Sequence, residues 1–211
     1  MKNNFIFLVL LLTFSCNSEN GNKGKNNYQV ISLIYNKLAK PIEPVFPLPP
    51  PDSLNYVFTS KDSARIDSLI NQIKKETAKR RFIVAIDSLN KPYPNVSLNN
   101  IDKNCSDYID ILSKLQQQKD TLKFDISKIE NTRNDSIIYF NKELLTKGNR
   151  DFFKFDILLS FSRIAFNKDY TKAVLQVSES RSKLAGNSSL YFLEKISGKW
   201  QVKCTKELSI S

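Results

Sequence analysis

Residues 189–206, SLYFLEKISGKWQVKCTK, consist of two runs rich in aromatic and branched residues divided by Ser197-Gly198. Two strand patterns joined by two residues, the second a glycine, predict a β-hairpin. Within the second run Trp200, Val202 and Cys204 alternate, so all three are expected on one packed face. Working outward, residues 157–166 and 172–178 have the same composition, and turn formers at Asn167-Lys168-Asp169 and Gly186-Asn187 separate the runs. Such short connections predict a four-stranded antiparallel C-terminal meander. The polar stretch 178–189, SESRSKLAGNSS, reads as a connecting loop of the kind that often carries binding residues.

Upstream, Thr59-Ser60-Lys61-Asp62 forms a capping-box pattern ahead of Ile66, Leu69, Ile70 and Ile73, which share one helical face. Phe82 to Ile86 is an unbroken apolar run of strand length, the pattern of a strand covered on both faces. Ile101, Cys105, Tyr108, Leu112 and Leu115 recur in steps of four and three, predicting a second amphipathic helix that turns Cys105 inward and makes it a poor nucleophile. Short strands are expected at 122–126 and 136–140. The fold class is therefore α+β: a four-stranded antiparallel meander packed with two amphipathic helices, in a single domain over residues 57–211. Residues 28–56 are expected to precede it as a short helix (Val30, Leu33, Ile34, Leu38) and an extended Pro-rich spacer, Pro41 to Pro51. Residues 16–27, polar and without periodicity, read as a tether.

The first sixteen residues, MKNNFIFLVLLLTFSC, combine a basic start, the apolar run Phe5 to Leu12 and a small residue before Cys16. The apolar run is far shorter than the roughly 20 residues a bilayer core requires. The stretch resembles the signal peptide of bacterial lipoproteins, with Thr13 standing where that family usually carries Leu. The resemblance implies cleavage after residue 15 and lipidation at Cys16. It also implies export and attachment to the cell envelope, at the outer membrane of a Gram-negative bacterium. Ser160 to Asn167, Tyr191 to Lys195 and Gly198-Lys199-Trp200 together resemble an uncharacterised group of bacterial lipoproteins. The hairpin ending in Gly-Lys-Trp is also similar to the last hairpin of cystatin-like and nuclear-transport-factor-2-like folds, which implies a curved sheet wrapped round a helix.

The chain carries no histidine, which removes the commonest general base and the usual zinc and non-haem iron ligand sets. Gly-rich phosphate loops, nucleophile elbows and calcium loops are missing as well, so no catalytic residue, metal or cofactor is expected. With Cys16 assigned to lipid, Cys105 and Cys204 are left to pair through the fold or to remain two buried thiols. The net charge of +11 favours anionic partners, but Lys is spread along the whole chain, the pattern of a diffuse solvated surface rather than a dedicated patch. The densest cluster, Lys74, Lys75, Lys79, Arg80 and Arg81, stands at the end of a predicted helix where cations complement its dipole. No recognition module accompanies that cluster, so nucleic acid is not expected as a partner. Arg163 interrupts an apolar strand and is the candidate clamp for a carboxylate or phosphate, with Glu194 either sharing its face or pairing with it. Asp151, Asp156 and Glu194 are the candidates for a carboxylate pair. The sequence thus predicts a lipid-anchored envelope protein that binds an anionic envelope component or a protein. The alternatives are a carboxylate-dependent envelope hydrolase and an immunity-type protein that sequesters a toxin.

Overall fold

The computed structural model describes residues 23–40, 59–91, 101–123, 125–145, 154–182 and 185–210. The signal-like segment, Cys16 and the Pro-rich segment 41–51 lie outside these residues. Among the described residues the chain is α+β, but its main sheet is a seven-stranded mixed sheet rather than an antiparallel four-stranded meander. The expected meander forms one half of it, as β5 (Ile157–Phe161), β7 (Lys172–Ser182), β8 (Ala185–Ile196) and β9 (Lys199–Ile210), each antiparallel to the next. The other half is β1 (Ile83–Ile86), which runs parallel to both β5 and β4 (Ser136–Tyr139). This internal position, between edge strand β4 and β5, accounts for the apolar run at 82–86: Val84, Ala85 and Ile86 are fully buried, with a neighbour on each edge and side chains covered on both faces. Two short strands, β2 (Leu89–Asn90) and β3 (Leu122–Lys123), pair separately.

One face of the sheet is covered by α1, residues 23–38, through Val30, Ile31, Ile34, Tyr35 and, just beyond its end, Ala39. These meet Val84, Ile86, Leu159, Leu175, Leu193 and Trp200. The opposite face is covered by a 3-10 turn, Lys103–Tyr108, running into α3 (Ile109–Gln117); here Cys105, Tyr108, Ile111, Leu112 and Leu115 pack on Val174, Leu190 and Phe192. The sheet is thus a middle layer between helices, not a curved sheet wrapped round a single one.

The helix placed ahead of the domain by its sequence is part of its core. The expected boundary at residue 57 cuts through that core, and residues 23–27, expected as tether, are the first turn of α1. Arg181 fixes the other end of α1, its Nη2 donating to the Leu38 carbonyl at 3.0 Å. By contrast α2 (Ser60–Lys79) has its predicted capping box, with Thr59 N donating to Asp62 Oδ2 and Asp62 N to Thr59 Oγ1. Yet none of its residues joins either core cluster, and Leu69 is 41% exposed. The two helices packed on the sheet are therefore α1 and α3. Periodicity reveals that a helix has an apolar face; it does not reveal which helix wins the sheet.

Bulges re-aim side chains at two places that bear on the expected sites. Phe161 pairs with Val177 and Ser162 bonds Gln176, but Ala165 of β6 (Ala165–Phe166) pairs with Val174. Arg163 and Ile164 therefore stand against Leu175 alone, and the predicted continuous strand 157–166 breaks there. In β9, Cys204 pairs with Phe192 while Val202 pairs with Leu193, leaving Lys203 as the extra residue. Trp200 and Val202 consequently face α1, while Cys204 faces α3, against the expectation that all three share a face. The stretch 178–189 is mostly strand, since β7 continues to Ser182 and β8 starts at Ala185.

Candidate functional site

Arg163 and Glu194 are not brought together. The Arg163 amide donates to the Lys91 carbonyl at 2.9 Å, and its guanidinium reaches Asp120 just past α3, Nη1 to Oδ2 at 3.3 Å. Only 14% of the side chain is exposed, so it serves as a strut between the bulge and the end of α3 rather than as an open clamp. Glu194 sits beyond the start of α3 and pairs instead with Lys203 at 3.7 Å. Of the candidates for a carboxylate pair, Asp156 accepts from Ile83 N at 2.9 Å and from Arg80, Glu194 pairs with Lys203, and Asp151 lies outside the described residues.

A cleft of about 290 Å³ opens where α1 meets the tip of the β8–β9 hairpin. Gln29, Ser32, Leu33 and Asn36 line it from α1, Gly198, Lys199 and Trp200 from the hairpin, and Glu130 closes one side. The hairpin tip is a type I′ turn, with Ser197 at φ 49 and Gly198 at φ 79, the geometry that the Ser-Gly pair predicts. Asn26, 2% exposed, locks this corner: its Oδ1 accepts from Lys195 Nζ at 2.9 Å and from Trp200 Nε1 at 3.1 Å. Lys195 also lies over the Trp200 ring, 5.5 Å from its centroid, and Phe166 packs on the same indole. Ser32 and Asn36 are committed to the loop beside them. Ser32 Oγ accepts from Glu130 N at 2.9 Å, and the Asn36 amide donates to the Glu130 carbonyl at 2.7 Å. That leaves Gln29, Glu130 and Lys199 to meet a ligand, and Gln29 Oε1 is buried without a hydrogen-bond partner among the described residues. An amide, a cation and an anion beside an indole can hold a small polar group carrying charge of either sign. Asn26 and Gln29 escaped the sequence reading because they sit in or beside the stretch read as tether. Their one legible signal was their spacing, a turn ahead of Val30 and Leu33.

The strongest shifts in acidity belong to core tyrosines. Burial, helped by the carboxylates of Glu194 and Asp107, pushes the Tyr108 phenol up to about 12. Burial and Asp135 raise Tyr35 further, with Arg133 opposing, and burial with Glu179 raises Tyr191. Each of these phenols stays neutral at physiological pH. Asp125 is held below its ordinary value by the hydroxyl and backbone N–H of Ser127. Ser160, Ser178, Ser188 and Ser209 form a row across four strands on the α3 side. Their chemistry is largely internal, with Ser178 Oγ donating to Ser188 Oγ at 3.0 Å and Gln176 Nε2 reaching the same atom.

Cys105 and Cys204 meet on the α3 face as a disulfide with Cα atoms 6.4 Å apart, a contact that the Lys203 bulge makes geometrically accessible. Among the described residues no group of three or more His, Cys, Asp or Glu gathers as a metal site. No family model, curated protein or solved structure matches this chain.

Proposed function

We propose that this chain is a lipid-anchored cell-envelope protein that acts by binding, with the cleft between α1 and the hairpin tip as its ligand site. The anchoring half rests on one observation, the apolar run Phe5 to Leu12 ending at Ser15-Cys16. A single acyl chain gives marginal membrane attachment, whereas several, at about 0.8 kcal/mol per buried methylene, make it stable. The binding half is supported by the cleft, whose polar groups are an amide, a carboxylate and an ammonium with no histidine anywhere in the chain to act as base. Lys199 is the group for a carboxylate or phosphate and Glu130 for an ammonium.

Two measurements test the reading. Cys16→Ala is expected to yield unprocessed precursor or soluble chain, and mature protein that still partitions into detergent without Cys16 ends the anchoring half. Trp200 is the only tryptophan in the chain and lines the cleft, so its fluorescence reports the site directly. Titration with phosphorylated and zwitterionic small molecules is expected to give saturable emission changes that Lys199→Ala and Glu130→Ala each weaken by tenfold or so, the loss of about 1.4 kcal/mol. Saturation unaffected by both substitutions moves the ligand elsewhere.

A further inference from the structure

The β8–β9 hairpin that lines one side of the cleft is fastened to the first turn of α1, since Lys195 Nζ and Trp200 Nε1 both donate to Asn26 Oδ1, and this end is basic. Lys23, Lys25 and Lys199 are exposed, Lys168 is exposed in the adjoining 167–171 turn, and Lys195 lies behind them; Lys128 lies over the Tyr28 ring, and the acidic side chains near this end include Asp169, Glu130 and Asp125, whose amide donates to the Tyr28 hydroxyl. The turn belongs to this end because Thr171 accepts from Lys195 N at 2.7 Å and Tyr170 stacks on Phe166, which packs on Trp200. At the hairpin tip Ile196 is 46% exposed, a large apolar side chain among cations. From residue 16 to residue 23 is seven chain steps, at most about 25 Å whatever the path.

We propose that this end, formed by the first turn of α1, the 167–171 turn and the β8–β9 hairpin tip, docks on the anionic lipid surface to which the chain is tethered. Its lysines face the headgroups and Ile196 enters the interface. The inference rests on the anchoring at Cys16 proposed above. It goes beyond anchoring because it fixes which way the domain faces: the hairpin tip and the first turn of α1 lie toward the headgroups. Attraction of lysine to anionic headgroups acts within a Debye length, about 8 Å at physiological salt, so a short chain segment is what brings this end into range. An apolar side chain among lysines on a hairpin tip is the composition suited to a headgroup boundary, where the cations stay hydrated and the methyl groups do not.

The test uses full-length lipidated protein floated with vesicles of phosphatidylcholine alone, or with part of it replaced by phosphatidylglycerol, followed by brief lysine acetylation and peptide mass spectrometry. On anionic vesicles Lys23, Lys25, Lys168 and Lys199 are expected to react about fivefold more slowly than on neutral ones, the ratio equivalent to about 1 kcal/mol per lysine near the surface. Lys114 on α3 and Lys142 should react equally on both, and raised salt should abolish the difference. Equal reactivity of the four lysines on floated protein overturns the docking while leaving the anchor intact. Protection of Lys74 and Lys75 on α2 in their place also overturns it, since α2 is then the membrane face. Protein that floats with neither vesicle overturns the anchor and the docking with it.

Discussion

Tyr108 shows how one hydroxyl couples core packing to pH. Its ring packs edge-on against Phe192, 5.6 Å between centroids, under Lys172, while its hydroxyl is buried without a hydrogen-bond partner among the described residues. The folded state therefore prefers the neutral phenol, and its pKa of about 12 exceeds the value near 10 of an unfolded chain. A raised folded pKa means that the contribution is fully present below pH 10 and is lost as pH climbs from 10 toward 12. Tyr35 and Tyr191 act with the same sign. Urea melts are expected to show stability falling steeply above pH 10. Tyr108→Phe should be neutral or gain up to about 1 kcal/mol at pH 7, because the substitution removes an unsatisfied buried oxygen, and should flatten the alkaline fall. A loss greater than about 1 kcal/mol at pH 7 would instead reveal a partner for that hydroxyl. Burial of this ring was legible from its place in the i, i+3, i+4 series; the solitude of its hydroxyl was not, because that depends on what the opposing strands present.

At the scale of elements, the β8–β9 hairpin is the part most fully written in the local sequence. Its two-residue turn needs positive φ at both positions, which Gly198 adopts freely and Ser197 adopts at a cost. Ser197→Asn is expected to raise stability by about 0.5 kcal/mol, and Gly198→Ala to lower it by about 1 kcal/mol through backbone strain, since nothing lies within 4 Å of the added methyl group. Thermal melts of the two variants check both signs; a neutral Gly198→Ala would show that the turn relaxes to another type. The same strand, β9, illustrates the limit of alternation. One extra residue at Lys203 moves Cys204 to the other side of the sheet, and no local pattern distinguishes that bulge from a regular strand. Its position at the sheet edge, with bulges and Lys199, Lys203 and Lys206 along its length, is also what discourages another strand from pairing with it.

For the whole molecule, the decisive fact is that α1 completes the core. Val30, Ile31, Ile34 and Tyr35 are at most 1% exposed. At about 2 kcal/mol for each buried side chain they contribute on the order of 8 kcal/mol, comparable to the entire net stability of an ordinary domain. A chain starting at residue 57 is therefore expected to be molten or insoluble, and one starting at residue 17 to unfold cooperatively. Circular dichroism melts of the two decide it, and a cooperative transition in the shorter chain would return α1 to the role of spacer. The sequence by itself determined the α+β class, the hairpin, the buried strand at β1 and the inward turn of Cys105, because each follows from periodicity or turn chemistry within a few residues. Only the tertiary structure decided the parallel insertion of β1 between β4 and β5, the choice of α1 over α2 as the helix that covers the sheet, and the separation of Arg163 from Glu194. Each of those outcomes is a competition between distant segments for the same apolar surface or the same ion partner, and no window of sequence contains both competitors.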